Sequence, residues 1–284
     1  MTDSEIQIKG GTADSIIRDV QYLHKTIWGL DDLEMIPSHM YIATDHCGGQ
    51  MLCAYMDQQP VGFVYGFPGI DEKNKAYFYS HNLGVLKEYR NRGIAFLLKV
   101  ELRSRLLRSG FKTVKWTYEP LDSKNAYAYI RKLGCVSNTY FKNYYGEMRD
   151  AINKELPSDR LLMEWPIAGD HVQNILDQKR AKLTLADVDA SRLLNATQPG
   201  ARGYARPVDR PVHIEKLVQK NQLPLYLEIP ANHAELKDAS FRLALDWRMH
   251  VREKLTRCFA QNIYITDVIY EQDRFFYVLD RFKE

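Results

Sequence analysis

A chain of 284 residues, 45% hydrophobic and 26% charged, has room for one large domain or two of ordinary size and ample apolar material for a core. Its formal net charge of +3 argues against wholesale nucleic-acid binding, while leaving room for a local basic patch on a phosphorylated ligand. Cys47, Cys53, Cys135 and Cys258 are scattered without a CxxC pair or metal-like spacing, so neither a disulfide framework nor a metal is expected. The stretch Met1–Glu5 has no charged-then-apolar leader, and no apolar run approaches the roughly 18 residues of a membrane span. The expectation is a soluble, cytoplasmic protein without a membrane partner.

From Thr12 to Trp28 the residues Ile16, Ile17, Val20, Leu23 and Ile27 recur at helical spacing behind Thr12 and Asp14 as caps, and Gly29 closes the helix. Pro37-Ser38-His39 starts a second, short helix. Gln50–Met56 and Val61–Phe67 read as strands joined by a turn at Asp57–Pro60, and Ala76–Val85 as a third, longer strand. The period then changes. Gly93–Arg108 is expected to be a helix with Leu97, Leu98, Leu102 and Leu106 on its apolar stripe, Lys99, Arg103 and Arg108 in solvent, and Gly110 as its stop. Thr113–Tyr118 is a strand and Asn125–Leu133 a helix stopped by Gly134. Residues 166–222 read as a polar connector with some helix. Leu225–Ile229 is a strand, Phe241–Phe259 a helix, and Ile263–Tyr270 with Arg274–Leu279 a hairpin. The fold class is therefore α/β (α+β), with residues 1–165 as one domain and 166–284 as a connector plus a smaller carboxy-terminal α/β lobe.

The chemistry is concentrated in Leu83-Gly84-Val85-Leu86-Lys87-Glu88-Tyr89-Arg90-Asn91-Arg92-Gly93-Ile94-Ala95, which runs from a strand through a basic turn into a long helix. A helix start leaves backbone N–H groups unpaired and a partial positive charge beside them. Gly93 lets a ligand approach the backbone, Ala95 adds little bulk, and Arg90 and Arg92 add full charges. Together they form a pyrophosphate cradle without a Walker lysine. An ordinary solvated turn is the alternative these residues leave open.

Arg90-Asn91-Arg92-Gly93-Ile94-Ala95 resembles the Arg/Gln-x-x-Gly-x-Gly/Ala signature of the GNAT acyltransferases, and Leu83-Gly84-Val85 the splayed strand before it. The resemblance implies a GNAT fold, with a mixed, mostly antiparallel sheet flanked by helices. It also implies acetyl-CoA or another acyl-CoA as co-substrate and no metal. Carried over, Leu83, Gly84 and Val85 line the pantetheine arm, Arg90, Asn91, Arg92, Gly93, Ile94 and Ala95 hold phosphate, and the backbone N–H of Val85 receives the oxyanion. Ser123 through Cys135 resembles the family's second signature, which adds Ser123, Asn125 and Tyr129 to the cofactor side. Here the sequence departs from the pattern: Ser123 stands where Asn is usual, Ile130 where a tyrosine often returns a proton to the leaving thiolate, and Cys135 where Phe is usual. Tyr127 or Tyr129 takes the tyrosine's role only if the helix is rotated. Residues 7–165 also resemble a less-studied GNAT subgroup through Trp28-Gly29, Ser80–Val85, Trp116–Leu121, Asn143–Gly146 and Leu156–Arg160. The carboxy-terminal lobe, with Glu228-Ile229-Pro230 and Trp247-Arg248, belongs to the same resemblance, and its strand–helix–hairpin order resembles a degenerate acyltransferase half without a phosphate turn.

Acyl transfer to an amine needs a base, a donor for the oxyanion and a route for the thiolate. His81 and Glu119 are the base candidates, since a histidine needs little adjustment to accept a proton near neutrality. Trp116, Tyr118, Asn143, Tyr144 and Tyr145 are candidate walls of an acceptor pocket, with core packing as the alternative. Asp159 and Arg160 suit the ammonium and carboxylate of an amino-acid-like acceptor, or else an internal salt bridge. The loop Arg202–Arg206 with Arg210 is either a lid over an anion or a solvated connector. The expected function is transfer of an acetyl or dicarboxylic acyl group such as succinyl to a small-molecule amine, with no nucleic-acid partner and a homodimer compatible with the sequence. A non-catalytic acyl-CoA sensor and a protein acetylase with an open peptide groove are the rival readings.

Overall fold

A computed structural model of the chain describes residues 5–146 and 156–283, and these form two compact units, 5–116 and 117–146 with 156–283.

The first unit opens with β1 (Gln7–Gly10) and α1 (Asp14–Trp28), which ends on Gly29 in the left-handed region at φ 66°. Ala13 occupies the cap position and no side chain caps the helix, so neither Thr12 nor Asp14 takes the role expected of it. Asp14 instead adds negative charge in the first turn, where it favours the helix dipole. Then follow α2 (Ser38–His46), β2 (Gln50–Met56) and β3 (Gln59–Ile70). The hairpin between the last two turns on Asp57 and Gln58, both at positive φ, a tighter connection than the four-residue turn expected. The unit is completed by β4 (Ala76–Val85), α3 (Ile94–Arg108) and the start of β5 (Val114–Tyr118), which runs across the unit boundary. Strands pair in the order β1-β2-β3-β4-β5, all antiparallel except β4 with β5. Alternation in β2 and β3 turns Met51, Cys53, Tyr55, Phe63 and Tyr65 onto Ile17, Val20, Leu23 and Tyr41 of the first two helices.

In α3 the stripe is Ile94, Leu98, Leu102 and Leu106, a strict four-residue row. Leu97 falls off it and is 39% exposed, whereas Lys99 is 1% exposed. The expectation of Leu97 inside and Lys99 in solvent is thus reversed. The reason is chemical as well as geometric: the Lys99 ammonium donates to Ser80 Oγ at 2.9 Å and sits 3.6 Å over the Trp116 ring, so its charge is met inside the unit.

In the second unit α4 (Ser123–Ala126) passes directly into a π-helical stretch, Tyr127–Lys132, where a single α-helix was expected. Then come β6 (Val136–Phe141), β7 (Arg160–Trp165) and α5 (Asp170–Leu176). The segment read as connector contains a β8–β9 hairpin (Asn195–Pro199 and Ala205–Asp209) and α6 (Ile214–Gln219). It is followed by β10 (Leu225–Ile229), α7 (His233–Ala239), α8 (Phe241–Ala260), β11 (Tyr264–Glu271) and β12 (Arg274–Asp280). The strands pair antiparallel in the order β7-β6-β11-β12-β10, and α8 packs on β6, β9 and β10. Among the described residues no helix is long and apolar enough to cross a membrane.

Candidate active site

Strands β4 and β5 pair at only two positions, Phe78 with Val114 and Tyr79 with Lys115. Beyond them β4 continues with β3 as its partner, through a bulge: Tyr65 faces Asn82 and Gly66 faces Ser80, leaving His81 as the extra residue. Leu86 N–H donates to Val61 O at 3.0 Å, which makes that pair a hydrogen-bonded one. Alternation along an antiparallel ladder then makes Gly62/Val85 and Val64/Leu83 the non-bonded pairs, so the peptide groups of Leu83 and Val85 point to the other edge. The Arg90 guanidinium donates to Val85 O at 3.1 Å, as that orientation requires. The N–H groups of Leu83 and Val85 thus lie on an edge open to an extended ligand arm.

Gly84 lets this edge be reached from behind. A Cβ there would stand 2.7 Å from the Trp28 ring and 2.8 Å from Ile27, so α1 can press onto the strand only because residue 84 is glycine. After the strand, a short 3₁₀ turn (Lys87–Tyr89) leads to Asn91 at φ 64° and Gly93 at φ 79°. Two left-handed residues on either side of Arg92 curl the chain into a nest of inward N–H groups, continued by the free N–H groups at the start of α3. Arg90, Asn91, Arg92 and Gly93 are all exposed, and the Arg92 guanidinium lies 5.5 Å from the Tyr89 ring. Nest, helix dipole and guanidinium groups together fit a diphosphate.

The bulge sets His81 among Tyr65, Phe67 and Tyr79, with ring centroids at 6.2, 5.8 and 6.4 Å. Although His81 is exposed, the desolvation by its neighbours lowers its pKa below the usual histidine value. His24, buried on α1, is lowered further, to about 4, by burial and then by His81.

The remaining sequence-predicted residues are divided. Trp116 lies in the first unit, buried under Lys99. In the second unit the Tyr118 and Tyr277 hydroxyls are 2.8 Å apart, and Tyr129 packs edge-on to Tyr118 at 5.7 Å. Burial raises the pKa of both Tyr118 and Tyr129. Ile130 is fully buried. Ser123 donates to Ala231 O, and Asn125 is held by Asp122, whose carboxylate caps α4. Asp159, fully buried, accepts from Arg252 Nε and Nη2 at 2.7 Å each, from the Tyr140 hydroxyl at 2.6 Å and from Asn143 N–H at 2.9 Å. Burial pushes its carboxyl up, but these donors outweigh that and hold it below the ordinary range. Asp159 and Ser158 thereby pin the Asn143–Gly146 turn, which presents Tyr144 and Tyr145 half-exposed with Phe141 stacked on Tyr144 at 4.6 Å. The Arg160 guanidinium sits 5.3 Å from the Tyr145 ring.

Glu119, just past β5, is bonded by Arg248 of α8 at 2.5 Å. Arg248 was not among the sequence-predicted site residues. Its signal was an arginine on the same stripe as Ala244, Val251 and Leu255, all buried.

A strand edge freed beside an anion-binding helix start defines a class: proteins that hold a nucleotide-linked acyl carrier. Residues 19–135 match the family model described as "Acetyltransferase (GNAT) family", so this segment is similar to the class that moves an acyl group from coenzyme A to an amine. No curated protein matches the chain. Among solved structures it is similar to Arabidopsis thaliana Naa50 in complex with a bisubstrate analogue, with 20% identity over 56% of this chain and 97% of that one and a TM-score of 0.42. A GNAT family acetyltransferase from Elizabethkingia anophelis with acetyl-CoA bound shares 19% over 58% and 99%, with a TM-score of 0.45. The ribosomal-protein-S18-alanine N-acetyltransferase from Escherichia coli shares 15% over 58% and 97%, also with a TM-score of 0.45.

Proposed function

We propose that the chain is an acyl-CoA-dependent N-acyltransferase whose acceptor is the amine of a small metabolite, an amino acid being the leading class, with acetyl or succinyl as the acyl group. The observation that carries this is the pair of outward N–H groups at Leu83 and Val85, next to the nest at Arg90–Ala95. We assign residues 1–165 to the acyl-CoA-binding catalytic domain and 166–284 to the connector and carboxy-terminal lobe.

In this mechanism the β4 edge receives the pantetheine amide groups as a neighbouring strand would, fixing the thioester carbonyl against the Val85 N–H. That donor stabilises the oxyanion as the amine nitrogen forms its bond to carbon. His81 takes the proton the amine gives up. As the tetrahedral centre collapses, the C–S bond breaks and the thiolate leaves. An alkyl thiol has a pKa of about 8.5, so the thiolate is a modest base that departs without a dedicated acid at the Ile130 position and takes its proton from solvent. Holding amine and thioester together is worth about 7–11 kcal/mol by itself.

The test is calorimetric titration of coenzyme A into wild type and an Arg92→Glu, Gly93→Asp variant. Losing two charge-assisted contacts should weaken affinity about 100-fold or more, with the far-ultraviolet circular dichroism unchanged. Equal affinity in both proteins would refute the placement. Tight coenzyme A binding by wild type with no turnover on any amine of a broad panel would favour the sensor reading, for which the buried Ile130 is the supporting observation.

A further inference from the structure

The strand edge at Leu83 and Val85 is not wholly open. Each of these residues turns a carbonyl as well as an N–H away from β3. Val85 O, one of the two outward carbonyls, already accepts from Arg90 Nε at 3.1 Å. Arg90 is the residue at which the chain leaves the 3₁₀ turn and enters the nest at Asn91–Gly93. Its side chain is exposed, so no packing fixes the guanidinium on that carbonyl. By position Arg90 belongs to the phosphate half of the candidate cofactor site, and by contact to the pantetheine half. Strand, turn and nest all lie in the first unit.

A pantetheine arm laid along β4 brings amide N–H groups that need acceptors once water is displaced. The Arg90 contact keeps one acceptor of this edge from them. A diphosphate in the nest shifts the balance. A guanidinium grips phosphate through two parallel N–H groups, a stronger hold than a single bond to one carbonyl.

We propose that Arg90 selects the acyl carrier, occupying Val85 O until a diphosphate in the nest draws the guanidinium away. A carrier with a diphosphate then frees the edge for its own arm. A bare pantetheine or cysteamine thioester has to displace the arginine unaided, and binds more weakly for it. This rests on the acyl-CoA reading of the site. It adds a carrier specificity that neither the strand nor the nest has alone, because the two are coupled through this one side chain.

The experiment titrates coenzyme A by calorimetry and pantetheine by ligand-observed NMR into wild type, Arg90→Ala and Arg92→Ala. Arg90→Ala should bind pantetheine about 3- to 10-fold more tightly, the scale of one exposed hydrogen bond no longer competed for. The same variant should bind coenzyme A about 10-fold more weakly, having lost a phosphate partner. Arg92→Ala is the control, since its guanidinium lies against Tyr89 rather than on Val85 O. It should weaken coenzyme A by a similar factor and leave pantetheine binding within about twofold of wild type. Because the two ligands move in opposite directions, a general loss of structure in Arg90→Ala cannot imitate the expected result. Pantetheine affinity in Arg90→Ala that is unchanged, weaker or undetectable would overturn the selecting role while leaving the cofactor site intact. So would coenzyme A binding in that variant as tight as in wild type. A wild-type chain that binds no coenzyme A would remove the acyl-CoA reading and the role built on it together.

Discussion

At the scale of single residues, the environment decides which of two chemically equivalent candidates is ready to act at neutral pH. Tyr65, Phe67 and Tyr79 around His81 disfavour its charged form, so the imidazole is neutral and able to accept a proton at pH 7. Protonation would switch such a base off. Because its pKa lies below the ordinary value, kcat/KM should hold on acidification past pH 6.5 before it falls. We expect His81→Ala to lower turnover by about 100-fold, within the usual range for a general base, while changing the coenzyme A dissociation constant by less than about threefold. Pre-steady-state turnover and titration on the same preparations check this. Wild-type turnover would remove His81 from the mechanism.

At the scale of elements, the strand edge depends on how α1 sits on it. Trp28 occupies the space a side chain at Gly84 would need, so Gly84→Ala must displace the indole or bend β4. Overpacking of this kind costs about 1–3 kcal/mol. The expected result is a lower midpoint in urea with an unchanged slope, together with weaker coenzyme A binding, because the displaced strand carries the Leu83 and Val85 N–H groups. A variant with wild-type midpoint and affinity would show that the Trp28 contact does not set the edge. The π-helical turn at Tyr127–Lys132 is the other element-level feature of note. It widens the helix where the family tyrosine is expected, buries Ile130 and puts Tyr129 against Tyr118.

At the scale of the whole molecule, each unit holds a histidine whose pKa is lowered to about 4: buried His24 in the first and half-buried His233 in the second, both from desolvation above all. Unfolded, these side chains titrate near 6.5. Between the two values the unfolded chain binds protons that the folded chain refuses, so acid draws the equilibrium toward unfolding. Stability is therefore full above about pH 6.5 and declines as pH falls toward 4. His24 Nδ1 has no hydrogen-bond partner among the described residues, and its ring lies against Trp28 and Phe63. His24→Phe should consequently fold with little loss at pH 7.5 and show a flatter decline of melting temperature with acid. A decline as steep as wild type would mean that His24 is not desolvated as described.

Much of this molecule was legible in its sequence. The strand Ala76–Val85, the helix after Gly93 and the stop at Gly29 follow from period and from residues suited to left-handed backbone. The turn at Arg90–Ala95 was legible as a helix start for the same reason: it is built from consecutive residues, and its geometry is that of the local chain. What joins distant residues was not. Arg248 meets Glu119 across 129 positions and Arg252 meets Asp159 across 93, while Lys99 is buried because Ser80 and Trp116 come to it. No periodicity encodes such pairings, because they exist only once strands and helices have packed. The sequence by itself determined most of the elements and the basic turn that opens α3. Tertiary structure decided which charges are buried and with what partners.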